Sequence, residues 1–418
     1  MRRDPLAGYD LGLLFAVLTL LAIGILMVYS ASGVRALDAL DNPQYYLLLQ
    51  SAWGVLGLVG LALASRVDYQ RYRAVALPLL VVAVALLVAV LLPGIGSRAG
   101  GAARWLRFVG PIGVQPAELA KLALVLYLAA WLSARHDALI QGRLGLAFLL
   151  VVGAVAAPVV LEPDLGTAVV LVATALVMYF LAGARLVEFA AIGALASVTL
   201  AALAIAAPYR VARLFTFLDP WADAAGRGFH TIQALYALAL GGPFGEGLGA
   251  GREKFGFLPA PYTDSIYAVL ADELGLIGAL AVLLLFGVLV FQGTRIVRRA
   301  PDRFGALLAA GITAAIGLQA WINMAVIASL VPMTGITLPF ISYGGSSLLV
   351  SLVGVGMLLN IGRQGALTHG RTGGNAHPPG GRRDRRSYEP VARGHGRDPR
   401  AGAGDPLRLR RGTGRSRE

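Results

Sequence analysis

The stretch "LPAPYTDSIYAVLADELGL", Leu258 to Leu276, sets three carboxylates, Asp264, Asp272 and Glu273, at the mouth of and within a long apolar run. A carboxylate beside hydrocarbon is costly, so each needs a partner or a task. Asp264 follows a Pro-containing turn and opens the run. Two readings stand: Thr263 or Asp264 caps a helix by accepting its first amide donors, or the carboxylate is kept for function. Asp272 falls on the same helical face but ~12 Å further along at 1.5 Å per residue, too far for one acid/base dyad. Asp272 and Glu273 are expected to bond neighbouring helices or Lys/Arg partners. Elsewhere, "VQPAELAKLAL" places Glu118 and Lys121 at i, i+3 on one face, where they can neutralise each other. In "LEPDLGT", Pro163 interrupts an apolar run, and Asp164 either caps the next helix or lines a cavity. "VPMTGITLPFISYGGSS", which contains Ser346, is Pro/Gly-rich. Its irregular backbone can lie at membrane depth only under protein or water.

Other chemistries are excluded. "GEGLGAG" has spaced glycines but no preceding strand, and "SYGGSS" lacks the lysine of a phosphate-cradling loop. The histidines, including His136 and His230, do not show metal-ligand spacing. With no cysteine there is no thiolate chemistry or disulfide.

The elements that must position these residues are membrane helices. The 418-residue chain is 57% hydrophobic and 14% charged, against roughly 25% charged in soluble domains. Apolar runs near 11–30, 45–64, 74–92, 118–134, 146–161, 165–183, 187–207, 266–292, 304–327 and 343–361 predict an all-α polytopic membrane protein with about ten spans. The connections "SRVDYQRYR", "SARHDALIQGRLG", "GARLVE" and "GTRIVRRAPDRF" fall on the side of the N-terminus, which predicts cytoplasmic termini. Residues 1–10 form the N-terminal segment and 11–362 the transmembrane domain. A large outside loop, 208–265, separates spans 7 and 8, and its "FHTIQALYALALGG" reads as a helix lying along the membrane. Of the net charge of +13, residues 363–418 supply +9; this basic Gly/Pro/Arg-rich tail is expected to be disordered and to touch anionic lipid. No aromatic interleaving or folded module points to nucleic acid. Basic residues in the 208–265 loop and in a second, glycine-rich outside loop, 93–117, break the charge trend and suggest an anionic ligand outside.

Four ordered motifs carry a resemblance through residues 8–363: "VQPAELAKL", "LEPDLGT", "FLPAPYTDSIYAVLADELG" and "TGITLPFISYGGSS". They resemble the Q-P-S-E-x-x-K, Q-P-D-x-G-T, Y-L-P-E-x-H-T-D-F-I-F-A-V-L-x-E-E-L-G and closing segments of the SEDS family (FtsW/RodA/SpoVE) of shape, elongation, division and sporulation proteins. "RLFTFLDPWAD" is more similar to the division and sporulation branch.

The resemblance implies a peptidoglycan glycosyltransferase that polymerises lipid II, a disaccharide-pentapeptide on undecaprenyl diphosphate, at the outer face of the bacterial cytoplasmic membrane, at the division septum. It implies Asp264 as the base that takes a proton from the acceptor sugar's 4-hydroxyl. Arg104, Arg213, Arg252 and Lys254 are then candidates for the diphosphate, with a divalent cation (Mg or Mn) left open. Glu118 and Lys121 match a functional pair that would line the cavity, and Asp164, Asp272, Glu273 and Ser346 are expected to be structural or cavity-lining. The implied partners are a class B penicillin-binding transpeptidase and other divisome membrane proteins. Two departures stand out: Ala260 and Tyr262 replace a family Glu and His, and Ser265 replaces a Phe. Tyr262 can donate a hydrogen bond but cannot titrate like an imidazole. Intramembrane acids and bases would also suit a lipid II flippase, and a non-catalytic scaffold is the third class.

Overall fold

A computed structural model of the chain describes residues 9–99, 102–109 and 112–374. Three long apolar helices open the fold: α1 (Leu11–Leu40), α2 (Tyr45–Arg66) and α3 (Gln70–Leu91). Three short strands follow, β1 (Gly96–Ala99), β2 (Ala102–Val109) and β3 (Ile112–Val114). Then come α4 (Pro116–Ala134), a short α5 (His136–Ile140), α6 (Gly145–Leu161), α7 (Leu165–Leu181) and α8 (Leu186–Ile205). The long connection holds α9 (Pro208–Leu218), a 3-10 turn (Pro220–Asp223) and α10 (Phe229–Leu240). The chain closes with α11 (Ile266–Arg299), α12 (Arg303–Ile327) and α13 (Gly345–Gly374).

The protein is a polytopic helical membrane protein. Among the described residues, eight helices are long and apolar enough to cross a bilayer. At 17 residues each, α6 and α7 sit at the lower limit for spanning. These ten helices fall on the ten predicted runs, although α1 and α11 run well past the predicted ends. The helix α13 continues beyond Arg363, where the tail was expected to begin. The expected tail beyond Gly374, and most of the N-terminal segment, lie outside the described residues. The arginine-bearing connection after α3 folds as an antiparallel sheet rather than a loop, with Ser97 opposite Trp105 and Leu106 opposite Val114.

Local chemistry sets the helix ends. Asp10 caps α1 by accepting from the Leu13 amide (3.1 Å), and Asp302 caps α12 through the Gly305 amide (2.8 Å). Pro116 and Pro208 start α4 and α9, where a missing N–H costs nothing. The bundle is organised around α4, α12 and α13, whose most apolar windows are 72%, 67% and 78% buried, against 6% for α8. Outward-facing Leu146, Leu150, Val187 and Val198 are exposed, as lipid rather than water requires.

Helix α11 is bent at Gly275, whose φ of 68° is left-handed. The backbone of Phe244 and Gly245 approaches so closely there that a Cβ would strike it. Gly275→Ala should destabilise the purified protein by roughly 1–3 kcal/mol from strain and overpacking. Gly287→Ala, in open space on the same helix, should be neutral; thermal melting in detergent checks both.

Candidate functional site

The residues before α11 form a turn rather than a cap. Thr263 and Ser265 amides donate to Ala260 O (3.2 and 3.3 Å), with Ala260 left-handed at φ 48°. The N-cap position of α11 is Ser265, and it makes no side-chain capping bond. Asp264 therefore does not cap the helix. Its Oδ1 accepts one side-chain hydrogen bond, from Thr263 Oγ1 at 3.0 Å.

What fixes Asp264 is its backbone. Asn323 Nδ2 on α12 donates to both Asp264 O (2.9 Å) and Ile336 O (2.7 Å). Ser342 Oγ donates to Thr263 O (2.6 Å) and accepts from the Leu338 amide (2.7 Å), while the Tyr343 amide donates to Tyr262 O (2.9 Å). The irregular segment between α12 and α13, buried from Leu338 to Ser342, is thus bonded to the turn that carries Asp264, which satisfies the backbone groups that burial takes from solvent.

Asp264 lines a cavity of about 690 Å³ together with Arg104, Trp105, Glu118, Asp164 and Tyr262. The strand residue Arg104 donates from Nε to Glu162 O (3.0 Å) and from Nη2 to Pro163 O (2.5 Å), tying the sheet to the α6–α7 turn. Asp164 both caps and lines: it accepts from the Thr167 amide (3.1 Å) and hydroxyl (2.9 Å) and from Gln115 Nε2 (3.3 Å). Lys121 is buried behind Glu118, bonded to its carboxylate at 2.9 Å and to Gln319 Oε1. Ser346 Oγ accepts from the Gln115 amide (3.0 Å), joining α13 to the start of α4. Tyr262 stacks in a cluster with Tyr46 (4.6 Å) and Tyr343 (5.9 Å). Burial, with Tyr46 beside it, pushes the Tyr262 hydroxyl up from its ordinary value, so it stays a neutral donor.

Residues 11–366 match the profile of the FtsW/RodA/SpoVE family, described as "Cell cycle protein". The chain belongs to this family. It is 43% identical over 357 residues to stage V sporulation protein E of Bacillus subtilis, covering 85% of this chain and 97% of that protein. It is 41% identical to a probable peptidoglycan glycosyltransferase FtsW of a Geobacter species, covering 86% and 98%. Among solved structures it resembles a chain of a peptidoglycan synthase complex that coordinates polymerization and crosslinking (TM-score 0.70, 32% identity, 86% and 99% covered). Thermus thermophilus RodA is similar at a TM-score of 0.63 and 29% identity, with 86% and 99% covered.

Within this family member, the cations expected to meet a diphosphate divide. Arg213 does not line the Asp264 cavity but a neighbouring one of about 510 Å³, with Tyr209, Arg227 and His230. Arg252 and Lys254 line neither. Arg252 points outward, 3.7 Å from Glu246. Lys254 is buried against Glu273 at 2.6 Å and Ser30 Oγ at 2.9 Å, so its charge is already matched. Lys254 therefore closes an internal ion pair instead of standing free for a diphosphate, while Arg252 is turned to solvent outside both cavities. Glu273 has the partner foreseen for it. Asp272 is fully buried against the turn at Gly251, where the backbone amides of Arg252 and Glu253 face its carboxylate. Sequence reasoning missed His230, dismissed for lacking metal-ligand spacing; its Nε2 lies 2.6 Å from Ser265 Oγ. The signal available was the replacement of the family's Phe by Ser265.

The family motif has Gln where this chain has Glu162. Burial, reinforced by Asp164 and opposed by Arg104, pushes the Glu162 carboxyl up to about 8, so it stays protonated and neutral like an amide at pH 7. A carboxyl raised in the folded state costs stability as pH climbs from its ordinary value of 4.5 to about 8, because only the unfolded chain ionises freely there. Glu162→Gln should therefore raise the melting temperature at pH 8 and leave it unchanged near pH 4. Lys254→Met should cost about 3–5 kcal/mol by stranding Glu273. Melting should fall sharply in that variant, and the double variant with Glu273→Leu should recover.

Proposed function

We propose that this chain is a peptidoglycan glycosyltransferase that polymerises lipid II at the outer face of the cytoplasmic membrane. The observation that carries the reading is Asp264: a carboxylate fixed through its backbone, open to a large cavity, and spent on neither a cap nor an ion pair. The names of its relatives support the same reaction.

The acceptor's N-acetylglucosamine 4-hydroxyl attacks C1 of the donor's N-acetylmuramic acid. The new O–C1 bond forms as the C1–O bond to the diphosphate breaks, and the anomeric centre inverts. Asp264 takes the hydroxyl proton, and undecaprenyl diphosphate leaves with the bonding electron pair. Arg104 at the cavity wall is placed to meet the diphosphate's charge, having five donors of which two are bonded to carbonyls. A protein-held divalent ion does not fit the donor set. Asp164 is engaged as a cap and Glu118 by Lys121, and among the described residues no three His, Asp or Glu gather to hold a metal ion. No step is routed through one.

The flippase reading finds less support. The buried pair Glu118 and Lys121, whose charges a headgroup path would use, is instead closed on itself and on Gln319. The paired crosslinking enzyme is read as a class B penicillin-binding transpeptidase within the divisome, in keeping with the synthase-complex relative. The division septum follows from the division and sporulation motif, and cytoplasmic termini follow from the arginine-bearing loops.

The test is polymerisation of labelled lipid II by the protein purified with its transpeptidase. Asp264→Asn, still folded and partner-bound, should lose about 10²–10⁴-fold in rate. Equal polymer from both proteins would remove Asp264 from the reaction. Headgroup transfer across proteoliposomes without polymer would favour the flippase.

A further inference from the structure

Helix α10 brings an imidazole to the back of the Asp264 turn. His230 Nε2 lies 2.6 Å from Ser265 Oγ, and Ser265 is fully buried at the N-cap position of α11. A serine there ordinarily bonds the helix's own amides, a contribution of about 1 kcal/mol. Here it makes no such bond, and its hydroxyl faces His230 instead. The family motif carries Phe at this position, which could not make the contact. This chain has also lost the motif's histidine, replaced by Tyr262. An imidazole therefore reaches the Asp264 turn from a different element.

The groups facing His230 are few. They are the Asp264 carboxylate, Arg213 and Tyr209 of α9, and Arg227 at the entry to α10. Asp223, in the 3-10 turn, accepts from the Arg227 amide (3.1 Å). On the α11 side the contact is Ser265, and the next acid, Asp272, packs by Gly241 at the far end of α10. The stretch from Val326 to Met333 that closes the cavity has no ionisable side chain.

We propose that His230 is a positioning residue for Asp264, acting through Ser265, and that its protonation turns the base down. This rests on the reading of Asp264 as the polymerase base. A neutral imidazole can accept the Ser265 hydroxyl proton and hold the start of α11, and with it the turn, in one register. An imidazolium must instead donate to Ser265 Oγ, reversing the bond, and it sets a positive charge beside Asp264. That charge favours the ionised carboxylate and so makes it a poorer proton acceptor. Burial holds the imidazole below its ordinary 6.5, with Asp264 pulling upward and Arg213 pushing down. The ring is thus neutral at neutral pH, and the base is at full strength there. As pH falls below 6.5, protonation weakens it.

The experiment is the pH dependence of lipid II polymerisation, between pH 5 and 8, by the full-length protein with its transpeptidase. His230→Gln keeps a hydrogen-bonding group opposite Ser265 but cannot titrate; His230→Ala keeps neither property. Wild type should fall about tenfold in kcat, to a lower plateau, through a transition lying under 6.5. His230→Gln should lose that limb, stay within about threefold of wild type at pH 7.5, and leave KM unchanged. His230→Ala should fall about tenfold in kcat at pH 7.5. Superimposable profiles for wild type and His230→Gln, with polymer from both, would overturn this proposal alone. No polymer from wild type at any pH would overturn the polymerase reading with it.

Discussion

The structure depends on satisfying irregular backbone buried inside a membrane-protein helix bundle. Where helices break, freed carbonyl and amide groups must bond to protein, because hydrocarbon offers no partner. One side chain, Asn323, does this for two segments at once by donating to Asp264 O and Ile336 O. Ser342 repeats the device between Thr263 and Leu338. The same bonds that make the break between α12 and α13 tolerable hold Asp264 at the cavity wall. Its position is set without its carboxylate being consumed.

The charge arrangement follows the same economy. Glu273 meets Lys254, Glu118 meets Lys121, Asp164 caps α7, and Asp302 caps α12 while accepting from Tyr69 (2.8 Å). Glu162 lacks a hydrogen-bond partner and Asp272 faces only backbone amides, but both are shut inside the protein. Asp264 differs in combining an uncommitted carboxylate with access to a cavity large enough for a sugar. Of its neighbours there, Arg104 and Tyr262 supply donors, while the two acids Glu118 and Asp164 are engaged by Lys121 and by the start of α7.

Much of this was legible in the sequence. Ten apolar runs located ten helices because a bilayer demands length and hydropathy, which are local properties. The pairing of Glu118 with Lys121 was legible at i, i+3 spacing for the same reason. The cavity was not, because it joins β2, the α6–α7 turn and the Asp264 turn, elements far apart in the chain. Lys254 looked like a free outer cation since nothing near it in sequence announces Glu273, which meets it only after the loop folds back onto α1 and α11. The sheet was missed because "SRAGGAARW" is rich in glycine and alanine, and strands of that composition lack the usual branched side chains. His230 was passed over because its partner lies 35 residues away and is a serine, a residue with no metal to suggest it.

The most direct measurement is a cryo-EM structure of Asp264→Asn with its transpeptidase and lipid II bound. The sugar headgroup should occupy the cavity, with an acceptor 4-hydroxyl within hydrogen-bonding reach of residue 264 and a diphosphate beside Arg104. A headgroup seated elsewhere, with no sugar hydroxyl near residue 264, would contradict Asp264 as the base around which this site is built.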